Sequence, residues 1–345
     1  MRRGVASVFS DDIAIDLGTA NTLVHVAGRG IVIDEPSVVA IRNRNGIREV
    51  VDVGQKARAM LGRSADGVET IRPMRDGVIA DFIATEEMLR RFIKRTKTML
   101  GFRRPRILIS VPAGASPVER RAVYETAVSA GARRVHLIAE PVAAALGAGL
   151  PVDEPIGSMV VDIGGGTSDI AVLSRGGVVQ ARSLRCAGNA MDEAIIRYVR
   201  RRHQLLIGEA NAERIKIEAG SASQTINGNH AEIHIRGRDL KQGKAKSIVL
   251  VASDVAEAIE DPIGRIAEFI QRAVEDLPPD ISADVCALGI QLTGGGALLD
   301  KLDSEIERRV GIACRVPARA SECVIRGSAV VLGELEQRQH LLIKA

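Results

Sequence analysis

The sequence predicts an α/β protein made of two related halves around a ligand cleft, each half with a smaller peripheral part. Three observations predict it. Apolar, β-branched runs alternate with capped helical segments, the pattern of layered α/β folds. An Asp-apolar-Gly turn between two such runs occurs twice, at Asp16-Leu17-Gly18-Thr19 and at Asp162-Ile163-Gly164-Gly165-Gly166-Thr167, which reads as a duplicated unit. The length, 345 residues, exceeds what one simple core accommodates.

The elements follow in order. "IAIDL" and "TLVHVA" are two strands joined through Gly18-Thr19-Ala20-Asn21. Residues 40–69, rich in Asn, Gly and charge, read as a small peripheral part. "RILISVP" is a buried strand. Ser116 then caps a helix with Pro117 at its first position and Glu119 completing a capping box. "RVHLIAE" is another strand, and the helix after it carries Pro141 near its start. "VVDIGGGTSDIAV" is a strand, a side-chain-free turn and a second strand. Residues 221–248 are polar and short-stranded, a second peripheral part. "SDVAEAIEDPIGRIAEFIQRAVEDL" is helical, with Pro262 and Gly264 dividing it into two helices. "GIQLTGGGALL" repeats strand and glycine turn and leads into a helix.

Composition narrows the class. Hydrophobic residues are 46% and charged residues 26%, the balance of a globular chain. Aromatics are only 2%, with no Trp, which argues against a base-stacking surface and so against nucleic acid. The net charge of +4 permits an anionic partner without requiring one. The densest basic run, "RYVRRRH" from Arg197 to His203, reads as a solvated helix face, with an acidic partner as the alternative. Cys186, Cys286, Cys314 and Cys323 lack metal-ligand spacing and read as buried free thiols in a reducing compartment. No apolar run reaches the ~20 residues of a membrane span, and "MRRGVASVFSDD" has a basic start but too short an apolar stretch for a signal peptide.

The glycine turns carry the chemistry. A strand–glycine–strand turn presents backbone N–H groups with no side chain in the way, and such a turn wraps phosphate oxygens. Thr19 and Thr167 add hydroxyl donors. Asp16 and Asp162 repel phosphate, but suit a hydrated Mg²⁺ that bridges phosphates, or an attacking water. A tight hairpin with a capping Asp explains one such turn; it explains a matched pair poorly. The third turn, Thr293-Gly294-Gly295-Gly296, leads to a helix, so its glycines suit either a phosphate or the close approach of a flat ring.

These turns, with "IAEPVAAALGAG" between them, resemble the actin, sugar-kinase and heat-shock chaperone ATPase superfamily. Within it the chain resembles the MreB family of bacterial actins. "IDLGTANTLV", "EPSVVAI", "RPMRDGVIADF", "GSMVVDIGGGTSDIAV", "DEAIIRYVRR", "LIGEANAERIK" and "LTGGGALL" match in order, over about Asp11 to Leu335. The resemblance implies an actin-like fold of four subdomains: IA (11–39, 71–150, 323–340), IB (40–70), IIA (151–188, 252–322) and IIB (189–251). It implies ATP and Mg²⁺ as cofactors and a slow ATPase coupled to filament turnover. Gly18, Thr19, Ala20, Asn21, Gly164, Gly165, Gly166, Thr167, Thr293, Gly294, Gly295 and Gly296 would bind the nucleotide. Asp16 and Asp162 would handle the metal through water, and Glu140 would position the hydrolytic water. Glu213 and Lys216 would grip ribose and adenine; standing alone, they read as a surface ion pair one turn apart.

The chain departs from the family at Ala139-Glu140-Pro141 (for Glu-Glu-Pro), at Thr167-Ser168-Asp169 (for Thr-Thr-Glu) and at Ala187-Gly188-Asn189 (for Gly-Gly-Asp). It also lacks the family's acidic residues in "PARASECVIRGSAVVLG". The resemblance implies homopolymer filaments at the inner face of the cell membrane, working with the membrane proteins of cell-wall elongation to set cell shape. Two segments fit such a contact: Val5, Val8 and Phe9 behind two arginines, and Met99, Leu100 and Phe102 among Lys97, Arg103 and Arg104. Met99 and Leu100 also fit the core face of the preceding helix. A sugar-kinase-type phosphotransferase is the competing reading, but no sugar pocket is legible. A chaperone ATPase is the third, and no substrate-binding domain follows.

Overall fold

The computed structural model describes residues 12–44, 47–61, 67–96, 104–223 and 232–345. Val5, Val8, Phe9, Met99, Leu100 and Phe102 lie outside them. The chain divides into two compact units: 1–156 with 171–183 and 322–345, and 157–170 with 184–321.

In the first unit, strands Ile13–Leu17, Arg106–Val111 and Arg134–Ala139 lie side by side and parallel. Their inward residues, among them Ile13, Ile15, Ile107 and Ile109, are buried. Asn21–Val26 and Gly30–Pro36 extend this sheet antiparallel on one side, and Leu342–Ile343 closes the other edge. A second small sheet pairs Val39–Arg44 with Ile47–Val53 and Val68–Ile71. The helix Pro117–Ser129 starts with the capping box read from the sequence: Ser116 Oγ accepts from the Glu119 N–H, and Glu119 Oε2 accepts from the Ser116 N–H at 2.7 Å.

Helices Glu140–Gly147 and Cys323–Gly333 cross against this sheet at glycine. A Cβ on Gly147 would stand 1.8 Å from the Cys323 carbonyl oxygen, and one on Gly327 1.8 Å from that of Ala143. The backbones touch directly, which no side chain permits.

In the second unit, Ser158–Ile163, Ile290–Thr293 and Cys314–Arg315 form parallel pairs. A three-stranded antiparallel sheet joins Leu205–Leu206, Glu232–Asp239 and Ala245–Val251. The segment expected to form two helices is one, Ala252–Glu275, with Pro262 inside it. Proline removes one backbone bond, but Ile259, Ile263, Ile266 and Ile270 continue a buried stripe across it, and burying that stripe outweighs the missing bond. Cys186 Sγ donates to the Pro262 carbonyl at 3.7 Å.

Two smaller expectations also change. Cys286 is exposed, while Cys186, Cys314 and Cys323 are buried. The third glycine turn opens into a short 3₁₀ turn, Gly296–Leu298, before the helix Leu302–Val310. No helix among the described residues is long and apolar enough to cross a membrane.

Candidate functional site

In the first unit the candidate acids Asp16 and Glu140 sit at the C-terminal ends of two parallel strands with Arg106–Val111 between them, the end where open α/β sheets bind ligands. Register places Asp16 opposite Ser110, and Ser110 opposite Ile138, two residues before Glu140. Ser110 Oγ donates to Asp16 Oδ1 at 3.0 Å. Burial pushes the Asp16 carboxyl up from 3.8 to about 6; the Ser110 hydrogen bond opposes this, and the nearby charge of Asp34 adds to it. Glu140 begins the helix Glu140–Gly147 and is buried, with Pro141 beside it in the first turn.

The turn after Asp16 is fixed by its own neighbours. A Cβ on Gly18 would lie 2.6 Å from the Asn21 carbonyl oxygen. Ser37 Oγ donates to the Gly18 carbonyl at 2.6 Å, and the Ser37 N–H donates to that of Ala20. Asn21 already belongs to the following strand, and its side chain is exposed. Thr19 is buried, and its Oγ1 accepts from the Gly77 N–H at 2.9 Å. Gly77 and Asp76, both at positive φ, turn the hairpin between Met74–Arg75 and Val78–Ile79. The Asp-Gly pair is the sequence signal for such a turn, and it identifies a support for Thr19 that motif reading missed.

In the second unit, every residue of Ser158–Ile163 is buried. Asp162 Oδ1 accepts from Thr293 Oγ1 at 2.7 Å, so the third turn's threonine orients the second turn's acid. The turn closes on itself, the Gly164 N–H donating to the Thr167 carbonyl at 2.9 Å. The start of helix Gly188–His203 clamps it from outside: the Gly188 N–H donates to the Gly164 carbonyl at 3.1 Å, and the Asn189 N–H to the Gly165 carbonyl at 2.7 Å. The departure at Asn189 is therefore tolerated, because its backbone makes the contact. Among the described residues no acceptor meets the N–H groups of Gly165 and Gly166.

Gly294 and Gly296 are needed for packing. A Cβ on Gly294, at φ +83°, would lie 2.3 Å from the Ile163 carbonyl oxygen, and one on Gly296 2.5 Å from Ile163 Cγ2. Gly295 is different: a Cβ there meets nothing within 4 Å, so it alone of the three keeps open space in front of it.

Lys216 does not form the surface pair with Glu213. Its Nζ reaches across to helix Gly188–His203, 2.8 Å from Asp192 Oδ1 and 3.0 Å from the Gly188 carbonyl. Glu213 is half-buried one turn earlier on the same helix, Glu209–Ala219. Asp192, the partner of Lys216, is a contact that sequence reading missed.

The model of the MreB/Mbl protein family matches residues 10–340. The chain is 50% identical over 336 residues to the cell shape-determining protein MreB of Escherichia coli (strain K12), covering 96% of each. It is 43% identical to the cell shape-determining protein Mbl of Bacillus subtilis (strain 168), covering 96% of this chain and 98% of that one. Among solved structures, MreB5 of Spiroplasma citri bound to AMPPNP superposes with a TM-score of 0.89 at 31% identity, over 96% of this chain and 98% of that one. The MamK double helical filament subunit shares the fold, with a TM-score of 0.79 at 22% identity, over 93% and 99%. The fold is thus the actin-like one that the sequence predicts, and the chain belongs to the MreB/Mbl family.

Proposed function

We propose that this chain is a bacterial actin that binds ATP with Mg²⁺, polymerises into filaments and organises cell-wall synthesis to control cell shape. The observation that carries the nucleotide reading is the Gly164–Thr167 turn, with its carbonyls clamped and its Gly165 and Gly166 N–H groups left to meet an anion. The family membership supports the rest. Relatives carry the name cell shape-determining protein, and MreB5 of Spiroplasma citri is seen bound to AMPPNP and to ADP.

In this reading the glycine turns cradle the phosphates through backbone N–H groups. Thr19 uses a lone pair of its hydroxyl on Gly77, which leaves the hydroxyl hydrogen to donate to a phosphate oxygen. The donor set fits Mg²⁺ bound through phosphates and water, since that ion takes only one or two carboxylates and keeps several waters. Asp162, held by Thr293, and Asp16, held by Ser110, are those carboxylates. The ion, when bound, neutralises charge on the phosphates. Glu140, buried at a helix start, orients the attacking water. Lys216 and Glu213 hold the sugar and base, and open Gly295 admits the ring face.

The finer division into four subdomains belongs to this proposal. So does attachment to the inner membrane surface through Val5, Val8 and Phe9 or through Met99, Leu100 and Phe102, alongside membrane proteins of the elongation machinery. Sedimentation and electron microscopy of the purified chain with ATP and liposomes test it. Filaments that require ATP and disappear in Asp162→Ala are expected; phosphorylation of a sugar without any polymer overturns the reading.

A further inference from the structure

The basic run Arg197 to His203 has no role in the nucleotide site, and the structure gives it company. It ends the helix Gly188–His203. The turn of the hairpin that joins Glu232–Asp239 to Ala245–Val251 folds onto that helix end. The Leu240 N–H donates to the Gln204 carbonyl at 2.9 Å, and Lys246 Nζ to the His203 carbonyl at 3.4 Å. Arg200, Arg201, Arg202, Arg238, Lys241 and Lys244 are all exposed there. Among the described residues none of the six forms an ion pair. The acid of the turn, Asp239, is used within it, accepting from the backbone N–H groups of Lys241 and Gln242 and from Lys246. A helix C-terminus favours cations in its last turn; that accounts for some of the arginines and none of the hairpin lysines.

An anionic partner follows from the charge, and three observations choose its class. Arg200, Arg201 and Arg202 are consecutive on a helix, so they fan over about 200° of its circumference, and no flat surface meets all three. Strand Ala245–Val251 is an edge, paired only to Glu232–Asp239 among the described residues. Its outer row of N–H and C=O groups matches another polypeptide backbone and nothing else. Among the described residues no Phe, Tyr or Trp is exposed on this rim to stack a base.

We propose that the rim formed by the end of helix Gly188–His203 and the hairpin Glu232–Val251 docks an extended, acidic segment of a partner protein. The segment adds as a strand along Ala245–Val251 and lays carboxylates against those of the six cations that face it. Exposed Leu240 and Val249 take apolar side chains between the acids. The proposal is independent of the nucleotide reading.

The test uses the full chain and a fluorescent, end-blocked peptide of alternating Glu and Val. Its Lys-Val counterpart, an N-methylated Glu-Val version, a short DNA duplex and anionic vesicles complete the set. Fluorescence anisotropy at low salt is expected to show binding of the Glu-Val peptide alone among the peptides. Arg200→Gln/Arg201→Gln/Arg202→Gln should weaken it about tenfold, and Lys241→Gln/Lys244→Gln several-fold, with unchanged far-UV circular dichroism. Equal binding of the N-methylated peptide overturns strand addition. Unaltered peptide affinity in both variants overturns the rim as the site. The same substitutions abolishing vesicle or DNA binding while sparing the peptide assign it to lipid or nucleic acid instead. Loss of self-assembly alone assigns it to a contact between copies.

Discussion

Lys216 Nζ stands 2.8 Å from Asp192 Oδ1 and 3.0 Å from the Gly188 carbonyl, so one ammonium ties two helices together beside the glycine turn. Gly188 in turn donates to Gly164. Removing the lysine therefore acts on both stability and the phosphate cradle. Lys216→Met should cost about 1–3 kcal/mol, the range for a hydrogen bond to a charged group lost from a largely buried site. It should also weaken nucleotide affinity more than Glu213→Gln does. Thermal melting and titration with a fluorescent nucleotide check both; equal loss in the two variants contradicts the asymmetry.

Asp16 makes a pH prediction whose sign is fixed. Its carboxyl is pushed up to about 6 in the folded protein from 3.8, so between those values the folded state holds the extra proton. Its contribution to stability is fully present below about pH 4 and is lost as the pH rises through 6. Nucleotide-free Asp16→Asn should therefore be more stable than the parent at pH 7.5, by up to about 3 kcal/mol. That advantage should vanish near pH 4. Melting curves across this range decide it, and a pH-independent difference counts against the buried acid.

Gly294 and Gly295 are adjacent and should behave oppositely. Gly294→Ala drives a Cβ against the Ile163 carbonyl at a positive φ and should destabilise by about 1–3 kcal/mol or more. Gly295→Ala meets nothing within the protein and should melt normally. If open Gly295 admits the nucleotide's ring, that variant binds nucleotide more weakly despite its intact fold. Normal affinity removes Gly295 from the site.

For Glu140, the expected outcome is a split between binding and turnover. Glu140→Ala should slow ATP hydrolysis by about 10²–10⁴, the usual loss for one positioned acid–base group, while nucleotide affinity stays near that of the parent. Phosphate release and equilibrium titration on the same preparation measure the two separately.

Much of this was legible locally. Ser116, Pro117 and Glu119 encode a helix start within four residues, and the structure builds it. The paired Asp-Gly turns sit at strand ends as their apolar flanks require. What stayed hidden depends on contacts between distant segments. Nothing near Lys216 points to Asp192, because the two meet through the packing of separate helices. Pro262 reads as a break until the buried isoleucines on both sides of it are seen to share one face. Gly294 and Gly296 read as ligand-binding glycines, and nothing in their local sequence shows that packing against Ile163 also requires them. The hairpin supporting Thr19 was readable from Asp76-Gly77, but its strands are two residues each, below what alternation detects.

The crossing of Glu140–Gly147 with Cys323–Gly333 has a consequence for synthesis. The first unit is started by residues from the beginning of the chain and finished by residues from its far end, which also provide the closing strand Leu342–Ile343. On the ribosome its sheet emerges roughly 10–40 s before the helix that covers it, at ordinary elongation rates. Throughout that interval Ala143 and Gly147 have no partner backbone, and the face of the sheet they flank is open to water. The second unit, emerging within the interval, has all its own strands first. The order of completion is thus the reverse of the order of synthesis, and the nascent first unit is the part of this molecule that a holdase chaperone would meet uncovered.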